Sequence, residues 1–338
     1  MSQITSREIR LKSHPVGMPT ADNFDLATVS VASPAPGQVL VRNLYMSVDP
    51  YMRGRMIDRK SYTPPFRLGE PLSGGAVGQV VEANEGPFQV GDFVISMLGW
   101  REYYLSDGKG LTRIDPSLLP IQAFLGVAGM PGLTAYVGLL DIGQPKPGET
   151  VFVSGAAGAV GSIVCQIARI KGCRVVASAG ADDKVEWLLK EARVDAAFNY
   201  KKVNDLRVEL AKHCSNGLDI YFDNVGGDHL EAALDRMNNY GRVVACGMIA
   251  QYNATEPTPA PRNLGLVVGK RIRIQGFIVS DHANRQPQFL ADLREWLTTG
   301  KLTYQETIYE GLENAPKAFL SLFTGQNYGK MLVKIAQE

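Results

Sequence analysis

The stretch Pro147–Gly180, PGETVFVSGAAGAVGSIVCQIARIKGCRVVASAG, decides the fold. Thr150–Ser154 is a short apolar run with β-branched residues, and glycines follow at 155, 158 and 161. Val160, Ile163, Val164, Ile167 and Ala168 then recur at helical spacing, Gly172 ends that helix, and Arg174–Ser178 makes a second buried strand. Strand, glycine turn, helix and strand within about thirty residues match the βαβ crossover that opens a dinucleotide fold. The spacing is G-x-x-G-x-x-G where G-x-G-x-x-G is commoner, so the context carries the reading more than the pattern. A turn this tight wants residues tolerant of positive φ, and bare backbone lets N–H groups and a helix N-terminus approach a pyrophosphate. A glycine turn that binds nothing is the competing reading.

Outward from that unit, residues from about 130 to 300 alternate helix and strand, the pattern of a parallel sheet with helices on both faces. The strand candidates are Val151–Ser154, Arg174–Ser178, Ala196–Asn199, Asp219–Phe222, Arg242–Cys246 and Arg271–Ile278. The helical segments between them are Ala159–Lys171, Asp182–Glu191, Asn204–Cys214, Asp228–Met237 and Asn263–Gly269. Upstream, Gln38–Val48, Ala76–Glu82 and Phe93–Leu105 are short alternating runs between Pro and Gly turns, a β-rich domain. After a helix over Gln286–Thr299, β character returns at Tyr304–Tyr309 and Lys330–Ile335, with Leu312–Thr324 amphipathic between them. The expected fold class is α/β, a doubly wound parallel sheet over 126–302 joined to a β-rich domain over 1–125 that residues 303–338 complete.

Composition sets limits on function. The 338 residues exceed one ordinary core; apolar content is 45%, charged content 20% and formal net charge +1. No Lys/Arg run points to nucleic acid, and the first residues carry no apolar signal segment. Leu118–Leu140 is uncharged and long enough to span a bilayer, but Pro120, Pro131 and four glycines interrupt it; a buried loop entering a helix near Leu133 is expected instead. Cys165, Cys173, Cys214 and Cys246 form no C-x-x-C pair, and His14, His213, His229 and His282 are scattered. Neither metal nor disulfide is expected, hence a reducing, cytoplasmic setting without membrane attachment.

Five separated motifs carry a family resemblance over nearly the whole length: DPYMRGRM (49–56), GMPGLTAY (129–136), GAAGAVGS (155–162), FDNVGG (222–227) and GQNYGK (325–330). Together they resemble the zinc-independent medium-chain dehydrogenase/reductases, in the branch of the prostaglandin and curcumin reductases. The resemblance implies a GroES-like β-rich domain beside a Rossmann domain, NADPH as cofactor, an α,β-unsaturated ketone or aldehyde as substrate, and a homodimer.

The choice of cofactor also has a local argument. An NAD enzyme usually ends its second strand with an acid for the ribose 2′-hydroxyl, whereas this strand ends Ala177-Ser178-Ala179-Gly180, with Lys184 four positions on. Small residues leave room for a 2′-phosphate and the lysine supplies charge; the competing reading makes Asp182 and Asp183 ribose ligands. By resemblance, Lys184 and Tyr200 contact the adenosine phosphate, although Lys190–Arg193 replaces the family's Leu-Gly with an extra residue. The glycine turn contributes Ala157, Gly158, Ala159, Val160 and Gly161, and Ser178 closes the second strand. Asn224 follows the fourth strand, where it is either a turn former or a cofactor contact. Cys246, Gly247 and Tyr252 leave the fifth strand, and Phe277, Ile278 and Val279 the sixth; both segments match those flanking the nicotinamide in the family. Asn327 and Thr134 match further family contacts.

Reduction of a conjugated alkene puts negative charge on the carbonyl oxygen, which calls for hydrogen-bond donors more than for a metal. A tyrosine hydroxyl stays protonated at neutral pH, and the candidates are Tyr51, Tyr62 and Tyr252. Prostaglandin reductases carry a tyrosine eight residues before the aromatic that matches Phe277, and Gly269 stands there instead. The enolate therefore falls to one of these tyrosines or to the cofactor's own ribose hydroxyl, with solvent as the default proton source. The alternatives are an NADPH quinone reductase and an NADPH-binding protein without catalysis; an alcohol dehydrogenase is disfavoured because its zinc ligands are missing.

Overall fold

The computed structural model describes residues 3–337. The chain divides into two compact units, each taken by itself: Met1–Gly126 with Glu306–Asn327 and Met331–Glu338, and Val127–Gln305 with Tyr328–Lys330.

The first unit opens on an antiparallel hairpin, Ile4–Leu11 against Phe24–Val31. Its main sheet has seven strands, running Glu306–Glu310, Lys330–Lys334, Gln38–Ser47, Ala76–Asn84, Phe93–Ser96 and Thr112–Ile114, with Tyr103–Ser106 paired to the side of Gln38–Ser47. The expected alternation over 38–48 gives way to near-continuous burial. Met46 joins one apolar cluster, Leu44 and Tyr45 a second, and Val39 and Val41 a third, so both faces of this strand are covered. The amphipathic segment 312–324 splits into a single 3-10 turn and the helix Ala315–Thr324, which Pro316 opens because its missing N–H has no partner to lose in the first turn. That helix buries Ala315, Ala318, Phe319 and Leu322 against Trp100 and Phe24; the Trp100 and Phe24 rings stack at 6.1 Å.

In the second unit six parallel strands carry the chain: β1 (Thr150–Val153), β2 (Arg174–Ala179), β3 (Ala196–Asn199), β4 (Leu218–Asp223), β5 (Met237–Ala245) and β6 (Arg273–Gly276). Their order is β3-β2-β1-β4-β5-β6, the doubly wound arrangement whose ligand crevice lies at the carboxyl ends, where the order reverses beside β1. Every residue of β1 is buried, as expected of a parallel strand covered on both faces. The connecting helices are α1 (Gly161–Ile170), α2 (Asp182–Lys190), α3 (Leu206–His213), α4 (Gly227–Arg236) and the short α5 (Gly265–Gly269), followed by α6 (Gln286–Thr298).

Several boundaries differ from those expected. The first helix starts at Gly161, two residues after Ala159, because residues 155–160 are spent on the turn: Gly155 has φ 58° and accepts from the Gly158 N–H at 3.1 Å. Strand β6 is four residues long where Arg271–Ile278 was expected; Arg271 is left-handed at φ 54° and cannot lie in a strand. Strand β5 begins five residues before Arg242, and its pairing with β4 slips between Leu218 and Ile220. Within Leu118–Leu140 the helix is Met130–Val137, three residues earlier than Leu133, preceded by a 3-10 segment at Ile121–Leu125. Among the described residues no helix is long and apolar enough to cross a membrane.

Candidate cofactor site and the tyrosines

At the carboxyl end of β1 the turn closes on itself. A Cβ added at Gly161 would lie 2.5 Å from the Gly155 carbonyl oxygen and 2.8 Å from Cα of Ala156, so this glycine is required for the helix to pack on the turn. At Gly158 the same Cβ would stand 3.3 Å from the Gly155 oxygen, with nothing else within 4 Å. That bare surface admits a close ligand. The Ala156 N–H donates to the Ser178 carbonyl at 3.0 Å, tying the turn to β2, and the Ser162 and Ile163 N–H groups of the first turn of α1 donate to the Gly158 and Val160 carbonyls at 3.0 and 3.1 Å.

Beyond β2 the surroundings of Gly180 are cationic and aromatic. The Tyr200 hydroxyl and Cε of Lys201 lie 3.1 and 3.2 Å from where a Gly180 Cβ would be. Lys184 is 7% exposed on α2; burial pushes its pKa down, Asp183 pulls it up and Lys201 lowers it further. Burial also raises the Tyr200 hydroxyl, which keeps it a donor at neutral pH. Asp182 is not available as a ribose ligand in the way the NAD reading requires. Its carboxylate accepts from the Asn199 side chain at 2.8 Å and pairs with Lys202, and these contacts hold its pKa down. Asp183, in the first turn of α2, accepts from the Lys184 N–H at 2.9 Å. A donor set of two lysines and a tyrosine, with the nearest carboxylates engaged, fits a phosphorylated ribose.

The remaining expected contacts fall into two groups. Gly158, Ala159 and Val160 on the turn, Asn224, Cys246 and Gly247 past β4 and β5, and Phe277, Ile278 and Val279 past β6 are all partly exposed where strands end. Others are withdrawn. Ser178 is wholly buried, its Oγ without a hydrogen-bond partner, which leaves only its backbone at the turn. Ala157 is buried too, and its carbonyl accepts from the Gly329 N–H at 2.9 Å. Thr134 donates its hydroxyl one turn back to the Met130 carbonyl at 2.7 Å. The Asn224 side-chain amide donates to the Ser154 carbonyl at 2.8 Å, so the turn-forming reading describes its nitrogen. Asn327 belongs to the first unit.

Sequence reasoning missed Asp223, which builds the turn carrying Asn224. Its buried Oδ1 accepts from the Tyr221 hydroxyl at 2.7 Å and from the N–H groups of Val225 and Gly226 at 3.0 and 2.7 Å. An Asp two residues before the turn it caps is an Asx signal, and FDNVGG contains it. Burial nevertheless raises its pKa. His229, expected as a scattered surface or core residue, is a core residue. It is 4% exposed, set edge-to-face with Tyr200 at 4.9 Å, and burial lowers its pKa to about 4.

The tyrosines differ. Tyr252 follows the single 3-10 turn after β5; its hydroxyl accepts from the Met248 N–H at 3.4 Å and covers Gly247, whose added Cβ would lie 3.1 Å away. In the first unit Tyr51 is half-buried, and burial and the neighbouring Asp49 push its pKa up while Arg55, hydrogen-bonded to it, opposes them. Tyr62 is 62% exposed. Among the described residues, no group of three or more His, Cys, Asp or Glu is placed to hold a metal ion.

A reversed-order parallel sheet with a glycine turn and a cationic ribose end defines a protein built to hold a phosphorylated pyridine dinucleotide. Two family models match, one described as the N-terminal domain of oxidoreductase over residues 7–114 and one as zinc-binding dehydrogenase over 159–295. The NADPH-dependent curcumin reductase of Escherichia coli (strain K12) is 44% identical, covering 96% of each chain. The NADP(+)-dependent 2-alkenal reductase of Nicotiana tabacum is 42% identical over 99% of each. The crystal structure of CurA from Vibrio vulnificus in complex with NADPH superposes with a TM-score of 0.93 at 46% identity, covering 98% of this chain and 100% of that one. The chain belongs to the medium-chain dehydrogenase/reductase family, in its zinc-independent reductase branch.

Proposed function

We propose that this chain reduces the C=C double bond of α,β-unsaturated ketones and aldehydes, the second unit holding NADPH and the first contributing substrate-binding residues. The chain is an NADP-dependent oxidoreductase. The observation that carries the cofactor side is Tyr200 and Lys201 at Gly180, with Lys184 near enough to Lys201 to feel its charge and Asp182 engaged by Asn199 and Lys202. The enone follows from the curcumin and alkenal reductases among its relatives.

When bound, NADPH supplies the hydride that the alkene's β-carbon accepts. The chain's part is to bind, orient and meet the charge that develops on the carbonyl oxygen. For that donor we choose Tyr252, whose hydroxyl lies against Gly247 just beyond the carboxyl end of β5. Asn224 is held by Ser154 and Asp223 organises its turn, so the carboxyl ends of β4 and β5 form a fixed floor. A homodimer is part of the proposal; Arg273, Ile274 and Gly276 of the edge strand β6 are exposed and open to pairing. So is a cytoplasmic location.

The deciding experiment measures NADPH oxidation across a panel of enones, enals and benzoquinone. Turnover of enones above benzoquinone supports the reading. Preference for benzoquinone makes the chain a quinone reductase, and NADPH binding with no turnover of either makes it a binding protein.

A further inference from the structure

The residue that fixes Lys184 comes from far along the chain. The Lys184 Nζ stands 5.8 Å from the centre of the Tyr328 ring, within cation–π reach. Trp187, one turn beyond Lys184 on α2 and itself buried, meets the Tyr328 ring edge-to-face at 6.4 Å and 85°. The backbone beside Tyr328 is equally constrained. The Gly329 N–H donates to the Ala157 carbonyl at 2.9 Å, making a bridge to Gly158 of the glycine turn, and the Lys330 N–H donates to the Gln305 carbonyl at 2.9 Å. Gly329 has φ 59°, and a Cβ there would fall 1.9 Å from the Gln305 oxygen, so only glycine lets the segment lie so close.

We infer that Tyr328 is a specificity-determining positioning residue, whose ring holds the Lys184 ammonium where the 2′-phosphate of NADPH would meet it. This rests on the assignment of Lys184 to that phosphate. A lysine carries a flexible four-carbon stem and loses rotamer freedom when it binds. Here the ring, itself packed against Trp187, restricts that freedom, while the ring face compensates in part for the water that burial has stripped from the ammonium. A phosphate gains from a fixed, poorly hydrated cation far more than a neutral ribose hydroxyl does, so the effect selects NADPH over NADH. The same segment is bonded to the glycine turn, so phosphate and pyrophosphate sites are held in one register by one stretch of chain.

The test is a calorimetric titration of the full chain with NADPH, NADH and 2′,5′-ADP. Wild type preferring NADPH supports the assignment of Lys184; absence of that preference sinks the assignment itself. Given the preference, Tyr328→Leu weakens NADPH and 2′,5′-ADP by about tenfold and leaves NADH within about twofold. Tyr328→Phe keeps the ring and therefore the selectivity. In the Lys184→Met background Tyr328→Leu adds nothing further, since the ring acts through the lysine. Equal weakening of NADPH and NADH, or no change in either, overturns the inference. If Tyr328→Leu does not fold, Tyr328→Met is read by the same criteria.

Discussion

Three glycines separate packing from ligand approach, and replacing each by alanine tests the distinction. At position 161 the new methyl meets backbone at 2.5, 2.8 and 3.0 Å, closer than real Cβ contacts come, so the Gly155–Ala156 segment must move away from α1. Forcing a methyl into such a site costs about 1–3 kcal/mol. For a unit of this size that is a fall in Tm of roughly 2–12 °C, and the distorted turn loses NADPH as well. At position 158 the nearest atom is 3.3 Å away and nothing else lies within 4 Å, so Gly158→Ala alters Tm by less than about 2 °C. It nonetheless weakens NADPH at least about tenfold if a ligand lies against that face, because the methyl occupies the ligand's place. At position 269 the added methyl meets nothing within 4 Å, and Gly269→Ala is neutral or stabilises α5 by up to about 1 kcal/mol. Scanning calorimetry and fluorescence titration of the three variants give both readings on the same samples. Gly158→Ala binding NADPH as wild type does, or Gly161→Ala losing no stability, refutes the reasoning.

Three further outcomes are expected. His229 has its folded pKa lowered from the usual 6.5 to about 4, so the unfolded chain binds the extra proton first and stability falls as pH drops from about 6.5 towards 4. This group accounts for about 3 kcal/mol by pH 4, and urea melts of His229→Phe across that range show a correspondingly shallower loss. Tyr252→Phe lowers kcat for an enone by about tenfold to a thousandfold with NADPH affinity unchanged; an undiminished kcat moves the role to Tyr51 or Tyr62, read from the same substitution at each. Gly269→Tyr, entering open space, leaves Tm within about 2 °C of wild type, and a large drop on thermal melting would show the space to be closed.

Much of the second unit was legible because a buried parallel strand has no alternative reading. Val151–Val153 and Val175–Ala177 are apolar on both faces, and the glycines between them permit little except a tight turn into a helix. Ends of elements were less legible. Nothing local marks Arg271 as left-handed; it packs its guanidinium over the Tyr240 ring at 4.7 Å, a contact thirty-one positions away in sequence. The short run from Gln38 was read as alternating, yet three clusters bury it from both sides, which depends on strands and a helix far along the chain. In the proposed cofactor site, the Tyr200 hydroxyl, singled out by residue type, stands beside the glycine that follows β2. Residue types did not suffice for Ser178, because whether a serine at a strand end points outward or inward is set by register. Nor did they for Tyr328, whose partners lie on α2.

The strand Lys330–Lys334 sits second in its sheet, hydrogen-bonded to Gln38–Ser47 and placed next to Glu306–Glu310. During synthesis the parallel sheet has all its strands once Gly276 is made, whereas the antiparallel sheet keeps a gap beside one of its first-made strands until Lys334 leaves the ribosome. Over that interval Tyr45–Ser47, the end of this strand that pairs with Leu332–Lys334, offers an open apolar edge, while Val39–Arg42 is already covered by Tyr103–Ser106. Premature stop codons between Gly276 and Lys330 therefore leave a chain with a finished nucleotide sheet and an unfinished partner prone to aggregate, and chaperone dependence should concentrate in the amino-terminal third of the nascent polypeptide.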